Sequence, residues 1–339
     1  MKILRRQIVL VLTALVAMLL ILSCTKSGGR KIYKESPVER YGALSVNGSQ
    51  LCDSAGKPIQ LCGMSSHGLQ WYGKFANKDV IKWLRDDWNA DLWRAAMYVS
   101  SGGYAQNKVI ARKVIDSIEA AKELGVYVIV DWHVLSECDP LLYVTQAEEF
   151  FEQIASTYAD CPNIIYEICN EPNGDKVTWE GNIKPYAERI IPVIRKYCDN
   201  IIVVGTPVWS SDLASAAASP IENQKNIMYT LHFYAGSNGK DSRDAAEAAI
   251  KKGLPVFVTE WGTTKSSGDG GVFEEETMEW IRFMEKNKIS WANWSVNNKG
   301  EDSGALKYNK DRDAKGGWAE SDLQPSGVLL RQILRGEKK

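Results

Sequence analysis

The sequence predicts a closed (β/α)8 barrel (TIM barrel), and three observations lead to this prediction. Short apolar segments alternate with amphipathic segments from residue 58 onward. Eight strand–helix units fit into roughly 270 residues, a usual size for this barrel. The strands are apolar almost throughout, which is typical of parallel strands covered by helices. An open doubly wound sheet is the competing topology, but no glycine-rich phosphate loop follows the first strand to support it.

The predicted elements follow from these patterns. The eight strands are Pro58–Ser65, Asp91–Tyr98, Val126–Asp131, Ile164–Asn170, Ile201–Gly205, Ile227–Phe233, Val256–Glu260 and Ser290–Trp294. The helices are Lys78–Asp86, Lys108–Leu124, Gln146–Tyr158, Lys184–Tyr197, Asp241–Lys252 and Glu275–Asn287, with a short crossover at Ser211–Ala218 and a closing helix near Val328–Leu334. Gly125 directly follows the second helix and is predicted to be its C-cap residue. Before the barrel, the alternating segment Leu44–Leu61 predicts a small β-hairpin that caps the barrel bottom.

The first residues have the pattern of an export signal. Three basic residues precede an apolar run from Ile8 to Leu22, and Cys24 stands directly after Ser23. A basic start, a short apolar core and a small residue before the break are typical of a signal peptide, and the cysteine at the break resembles a bacterial lipidation site. An uncleaved membrane anchor is the alternative, although the run is short for a full span. We predict a signal peptide at residues 1–23, a flexible tether at 24–40 and one domain at 41–339, exported and held at a membrane through Cys24.

Charge and cysteine content exclude several classes of partner. The formal net charge is −1 and becomes −4 once the basic residues of the predicted signal are removed. Such mild acidity argues against a nucleic-acid partner, which requires a basic surface. The seven cysteines contain no C-x-x-C pair, which argues against a zinc knuckle. An exported chain permits disulfides, but their pairing does not follow from the sequence. We predict a monomer that needs no cofactor and no metal.

Two acids stand where strands of the barrel end. Glu171 lies in the segment IYEICNEPNG, and Glu260 lies in VFVTEWG. The carboxyl ends of the strands carry the reactive residues of this fold, and an acid at such a position costs desolvation free energy unless it has a role. Paired carboxylates hydrolyse glycosidic bonds, one as acid/base and the other as nucleophile or base. A pair of salt-bridged structural acids is the alternative interpretation.

Other strand ends supply residues that fit the same chemistry. Arg94 is a cation that would keep a neighbouring nucleophile charged, and Asn170 would hydrogen-bond a sugar 2-hydroxyl. Flat aromatic faces suited to sugar rings come from Trp71, Trp209 and Trp294.

All three histidines of the chain fall at these strand ends: His67, His133 and His232. Three histidines at one end of a barrel also resemble a zinc site with an open position. No His-x-His pair occurs, however, and the glutamate pair makes a metal unnecessary for acetal cleavage. Hydrogen bonding to hydroxyls or carboxylates is the less demanding role for them.

Seven motifs in order resemble the endoglucanase branch of the glycoside hydrolase family 5 cellulases: MSSHGLQWYG, LWRAAMY, DWH, IYEICNEPNG, LHFY, TEWG and WANWS. The resemblance runs from about Leu44 to Leu334. It implies that Glu171 is the acid/base and Glu260 the nucleophile of a retaining double displacement, with carboxyl groups about 5–5.5 Å apart.

The resemblance also implies the surrounding site residues. Those around the cleavage point would be Arg94, His133, Asn170, His232 and Tyr234. Those that contact the sugar there would be His67, Tyr98 and Trp294, and Tyr72 is a further candidate contact at the end of the first strand. Outer subsite contacts would be Trp71, Trp209, Lys299 and Glu301. The loop Asn297–Gly304 is less typical of the family, which leaves these outer contacts open.

The predicted function is therefore a retaining endo-β-1,4-glucanase that acts on β-1,4-glucan polysaccharides or cello-oligosaccharides. One alternative is a related enzyme for mannan, xyloglucan or mixed-linkage glucan, since aromatic subsites bind many flat sugars. Another is a non-catalytic surface glycan-binding lipoprotein, which would not need both acids together with Arg94 and Asn170. A metal-dependent amide hydrolase is the third alternative and depends on the histidines.

Overall fold

Eight parallel strands close into a barrel in the computed structural model, which describes residues 33–338. The strands are hydrogen-bonded in chain order, and the last one pairs with the first. The (β/α)8 barrel predicted from the sequence is therefore confirmed. The predicted signal peptide, Cys24 and residues 24–32 of the predicted tether lie outside the described residues. Within residues 33–338, no helix is both long and apolar enough to cross a membrane.

The strands lie close to their predicted positions. The antiparallel hairpin consists of β1 (Ser45–Asn47) and β2 (Gln50–Cys52). The barrel strands are β3 (Cys62–Ser66), β4 (Leu92–Tyr98), β5 (Tyr127–His133), β6 (Ile164–Glu167), β7 (Ile202–Val204), β8 (Ile227–Tyr234), β9 (Val256–Gly262) and β10 (Trp291–Val296). Regular β6 ends three residues before the predicted Asn170. The chain still follows β5 there, because the Asn170 and Glu171 amides donate to the Trp132 and Val134 carbonyls.

Helices cover the outside of the barrel. They are α1 (Pro37–Tyr41), α2 (Leu69–Tyr72), α3 (Lys78–Trp88), α4 (Ala111–Leu124), α5 (Val144–Thr157), α6 (Lys184–Arg195), α7 (Leu213–Ala218), α8 (Lys240–Lys251), α9 (Glu274–Asn287) and α10 (Pro325–Arg335). Short 3-10 segments occur at Gly73–Phe75, Lys108–Ile110, Pro140–Tyr143 and Glu320–Asp322, and a π-helical turn at Trp179–Ile183 precedes α6. Gly125 ends α4 in the left-handed conformation with φ of 67°, the cap predicted for it.

The hairpin closes the bottom of the barrel with apolar side chains. Leu44 and Leu51 are buried in one cluster with Ile129, Ile165 and Phe257 of the barrel strands. Removing these side chains from water stabilises the closed end by roughly 25 cal/mol per Å² of apolar surface. The predicted hairpin cap is thus present, and it leaves the opposite end of the barrel open to solvent.

The described part of the predicted flexible tether is ordered, which differs from the prediction. Helix α1 begins with a capping box between Ser36 and Glu39. The Val38 amide donates to the Gly125 carbonyl at 2.9 Å, and Arg40 Nη2 lies 3.1 Å from Asp91 Oδ1. These contacts hold the segment against the barrel, and a composition-based prediction cannot foresee them. Within the described part of the chain, no disulfide joins two of its six cysteines: Cys52, Cys62, Cys138, Cys161, Cys169 and Cys198.

Candidate active site

A cleft of about 750 Å³ lies at the carboxyl ends of the barrel strands. Twelve of the fifteen predicted site residues line it: His67, Trp71, Tyr98, His133, Glu171, Trp209, His232, Tyr234, Glu260, Trp294, Lys299 and Glu301. The other three lie close by. Arg94 and Asn170 are fully buried, and the Tyr72 ring packs 4.9 Å from the His67 ring. The structure therefore brings the whole predicted set to one site.

Glu171 and Glu260 face each other across this cleft. One carboxylate oxygen of each, together with a ring nitrogen of His232, lies within 4.8 Å of the others. This spacing fits retaining glycosidases, whose carboxyl groups lie about 5–5.5 Å apart, and it is shorter than the roughly 6.5–9.5 Å of inverting enzymes. The two side chains are only 13% and 7% exposed, respectively, so their ionisation depends strongly on the groups around them.

Arg94 is the buried cation at the centre of the site. Its guanidinium donates to both oxygens of Glu167 at 2.7 and 3.1 Å and to Glu260 Oε2 at 3.0 Å. It also lies 2.9 Å from Asp131 Oδ2. Burial opposes its charge, but these three carboxylates raise the pKa of Arg94 well above its ordinary value. A permanent cation next to Glu260 favours the ionised form that a nucleophile needs.

Both oxygens of Glu260 are held in place. Arg94 binds Oε2, and the Tyr234 hydroxyl donates to Oε1 at 2.8 Å. Burial and the nearby Glu260 and Glu171 raise the pKa of Tyr234, so that its hydroxyl keeps its proton and remains a donor. A carboxylate with one donor on each oxygen has a fixed orientation, which suits attack on one carbon of a bound sugar.

Glu171 lies in an environment that favours its protonated form. Burial, opposed in part by Arg94 and reinforced by Glu167, raises the pKa of Glu171 to about 8. His232 Nδ1 lies 2.9 Å from Glu171 Oε1, and burial lowers the pKa of His232 to about 4. At neutral pH the pair is therefore a carboxylic acid next to a neutral imidazole. A carboxyl group that keeps its proton at neutral pH is suited to act as the proton donor.

Asn170 lies buried next to the cleft, beside His133, which lines it. Asn170 Oδ1 accepts from Arg94 at 2.6 Å, and Asn170 Nδ2 donates to the Val134 carbonyl at 3.1 Å and lies 3.3 Å from His133 Nε2. His133 Nδ1 lies 2.6 Å from Asp131 Oδ2, and burial lowers the pKa of His133 well below its ordinary value. The ring stacks on Tyr98 at 4.1 Å.

The three histidines do not assemble a metal site of their own. Both ring nitrogens of His133 and of His232 already face side-chain partners. In the described part of the chain, the group that gathers three ligand atoms is Glu171, His232 and Glu260. The three-histidine alternative considered from the sequence therefore has no geometric support.

Aromatic and charged side chains extend the cleft on the side of His67. The His67 ring lies 5.0 Å from the Trp294 ring and 5.9 Å from the Trp71 ring. Lys299 Nζ donates to Glu301 Oε2 at 2.6 Å. Trp71 is 52% exposed, and its open face is available to a sugar ring.

Trp209 lies on an unusual turn. Val208, Trp209 and Ser210 all have φ between 54° and 57°, the left-handed conformation that costs non-glycine residues roughly 1–2 kcal/mol each. The Ser210 hydroxyl donates to the Asn170 carbonyl at 2.5 Å, which ties the turn to the segment of Glu171. Trp209 is 52% exposed to solvent. Strained turns of this kind concentrate at binding sites.

Three buried residues in the site were not predicted: Asp131, Glu167 and Thr259. Each is fully buried, and Arg94 lies 2.7 Å from Glu167 Oε2 and 2.9 Å from Asp131 Oδ2. Burial raises the pKa of Asp131 to about 8 against the opposing effect of Arg94. For Asp131 and Glu167, the available signal was a charged residue inside an apolar strand, which implies a buried partner.

Comparison with known proteins agrees with this geometry. Residues 52–300 match the family model of Cellulase (glycosyl hydrolase family 5). Endoglucanase A of Evansella cellulosilytica is 51% identical over 83% of this chain, and Endoglucanase 5 of Pectobacterium carotovorum is 48% identical over 88%. The chain spans 57% and 59% of the length of these two relatives.

A solved structure is also similar. A variant of the catalytic domain of an endoglucanase from Thermobifida fusca, in complex with cellotetraose, superimposes with a TM-score of 0.84. It is 39% identical, and the match covers 88% of this chain and 99% of that one. Sequence match, fold and site agree, and the resemblance predicted from the motifs is confirmed: this chain belongs to glycosyl hydrolase family 5, the cellulases.

Proposed function

We propose that this protein is a retaining endo-β-1,4-glucanase. The observation that carries the proposal is the spacing of Glu171 and Glu260, whose carboxylate oxygens approach within 4.8 Å. This spacing leaves no room for a water molecule between the second carboxylate and the sugar, so that carboxylate attacks the sugar directly. The different surroundings of the two acids assign the roles of proton donor to Glu171 and nucleophile to Glu260.

In the first step, a Glu260 oxygen forms a bond with the anomeric carbon as the glycosidic C–O bond breaks. Glu171 gives its proton to the departing sugar oxygen. The positive charge that develops on the sugar ring is stabilised by the Glu260 carboxylate, which Arg94 and Tyr234 hold in position. The product of this step is a glycosyl ester on Glu260, and the inversion at the anomeric carbon gives it the α configuration.

In the second step, water loses a proton to Glu171, and its oxygen attacks the anomeric carbon as the bond to Glu260 breaks. Esterification has removed the negative charge of Glu260 from the neighbourhood of Glu171, which lowers the pKa of Glu171 and lets it act as a base. A second inversion restores the β configuration. Asn170 is placed by Arg94 and the Val134 carbonyl and is proposed to contact the sugar 2-hydroxyl, a bond that strengthens in the transition state.

The cleft supports a β-1,4-linked glucan as the substrate. Trp71 and Trp209 present half-exposed rings on which flat equatorial sugars can stack, and the similar Thermobifida fusca domain was solved with cellotetraose. The complete acid–nucleophile–arginine arrangement argues against a non-catalytic glycan-binding protein. Export, lipidation of Cys24 and a monomeric state remain part of the proposal, and the basic and apolar pattern of residues 1–24 supports the first two.

Reducing-sugar release from a polysaccharide panel tests this proposal. The panel consists of carboxymethyl cellulose, barley β-glucan, xyloglucan, xylan and mannan, and the Glu260→Gln variant serves as the inactive control. We expect release from carboxymethyl cellulose and barley β-glucan, with a rapid fall in viscosity because internal bonds are cut. Release from mannan or xyloglucan alone would overturn the substrate assignment. No release from any substrate by the folded protein would overturn the function.

A further inference from the structure

Thr259 directly precedes Glu260 in the chain. Its hydroxyl, however, contacts His232, the residue that lies against Glu171. Thr259 is fully buried. Its hydroxyl donates to Glu167 Oε1 at 2.6 Å and lies 2.9 Å from His232 Nε2. On the other side of the imidazole, Nδ1 lies 2.9 Å from Glu171 Oε1. A continuous chain of hydrogen bonds therefore joins Glu167 to Glu171 through Thr259 and His232.

The direction of these hydrogen bonds follows from Glu167. Burial raises the pKa of Glu167, and the neighbouring charge of Arg94 opposes this rise. Arg94 also donates to both oxygens of Glu167, an arrangement that favours the ionised carboxylate. An ionised carboxylate only accepts, so the Thr259 hydroxyl must donate its single proton to it. The Thr259 oxygen then offers a lone pair to His232, and Nε2 must carry the ring proton.

The tautomer of His232 determines whether Glu171 faces a hydrogen-bond acceptor or a hydrogen-bond donor at Nδ1. Burial lowers the pKa of His232 to about 4, and a neutral imidazole with its proton on Nε2 has a bare acceptor at Nδ1. This acceptor forms a good hydrogen bond with a protonated Glu171 and a repulsive contact with an ionised one. The opposite tautomer would donate from Nδ1 and favour the carboxylate.

We propose that Thr259 is a positioning residue that fixes the Nε2–H tautomer of His232 and thereby keeps Glu171 protonated in the resting enzyme. The proposal rests on the proposed role of Glu171 as the acid/base. Thr259, the strand residue before the nucleophile Glu260, would thus control the protonation of the acid Glu171. Without the Thr259 hydroxyl, His232 would no longer be restricted to the Nε2–H tautomer. It could then donate from Nδ1 to an ionised Glu171.

Other charged and titratable groups also act on Glu171 and stay in place when Thr259 is changed: Arg94 on β4, Tyr98 at the end of β4, Asp131 on β5, Glu167 on β6, Tyr234 on β8 and Glu260 on β9. A comparison between two substitutions at Thr259 therefore isolates the hydroxyl. Thr259→Val removes it and keeps the branched shape, whereas Thr259→Ser keeps it.

The pH dependence of kcat/KM on cellotetraose is the first test, because its alkaline limb reports the acid of the free enzyme. We expect Thr259→Val to move that limb to lower pH by about one unit. Thr259→Ser should keep the wild-type position. A purely structural role would lower kcat/KM at all pH values alike. An alkaline limb unchanged in the folded Thr259→Val variant would overturn the proposal.

Nitrogen-15 NMR of histidine-labelled wild-type protein is the second test and requires no variant at Thr259 to fold. The chain has only three histidines, so the His232→Asn variant suffices to assign the His232 signals. We expect a neutral ring protonated on Nε2 at pH 7, and a ring protonated on Nδ1 would overturn the proposal. This readout needs no substrate, so it stands or falls separately from the proposed endoglucanase activity.

Discussion

Replacing Glu171 by glutamine should stabilise the protein at alkaline pH while it removes the acid needed for catalysis. The carboxyl group of Glu171 has a pKa of about 8 in the folded protein, against roughly 4.3 in an unfolded chain. The folded state therefore binds this proton more tightly than the unfolded state. A glutamine amide can donate to His232 Nδ1 in the same position, so the substitution keeps the hydrogen bond and removes only the ionisation.

The sign of the effect follows from proton linkage. Below about pH 4, both states hold the proton, and the stability contribution is fully present. As pH rises from about 4 to 8, only the folded state holds it, and the free energy of unfolding of the wild type falls by about 1.4 kcal/mol per pH unit. Full linkage would amount to roughly 5 kcal/mol. Because 13% of the side chain is exposed to water, we expect about 2–4 kcal/mol.

Urea unfolding at intervals from pH 4.5 to pH 9 measures this difference. The Glu171→Gln variant should match the wild type at the acidic end and exceed its stability by about 2–4 kcal/mol at the alkaline end. Glu188 is exposed on α6, and Glu188→Gln is the matched control, expected to follow the wild type at every pH. A Glu171→Gln curve that runs parallel to the wild type would refute the reasoning, because Glu171 would then ionise as in an unfolded chain.

Three further predictions follow from the site. Glu260→Gly should lower kcat/KM by about 10⁴-fold or more with the fold intact, and azide, which fits the vacated space, should restore turnover as an α-glycosyl azide; absence of any azide product would count against Glu260 as nucleophile. Arg94→Met leaves three carboxylates without their cation and should cost about 3–5 kcal/mol in urea unfolding; a loss below about 1 kcal/mol would contradict it. Trp71→Ala should raise KM for cellopentaose by about 10-fold with little change in kcat, and an equal loss in kcat would place Trp71 at the reaction centre instead.

Much of the fold was predictable because its signals are local or repeated. Apolar strands such as Val256–Gly262 and capped helices such as the one that Gly125 ends can be recognised from a few adjacent residues. Once eight such units close a barrel, all strand ends meet at one rim. Glu171 and Glu260 are far apart in the chain, yet their convergence followed from this topology alone.

The hydrogen-bond network beneath the cleft was not predictable in the same way. A sequence shows that Arg94, Asp131 and Glu167 lie on neighbouring strands, but it does not show that their side chains share one layer of the barrel. That depends on strand register, which pairs Arg94 with Ile129 and Asp131 with Glu167. The order of residues 33–40 escaped prediction for a related reason, since it depends on contacts with Asp91 and Gly125.

The contribution of Thr259 was equally hidden. Threonine is common in strands for its shape, so its presence before Glu260 carries no signal of a role in catalysis. Only the contacts of its hydroxyl with Glu167 and His232 distinguish it from a packing residue.

In the proposed mechanism, Glu171 and Glu260 carry out two successive displacements at one anomeric carbon. Proton NMR of a cello-oligosaccharide reaction, recorded before the product mutarotates, measures the configuration of the first sugar released. Carboxylate oxygens within 4.8 Å of each other predict the β-anomer as the initial product, which then decays to the equilibrium mixture. An initial α-anomer would contradict the account, since it would require a single displacement by water.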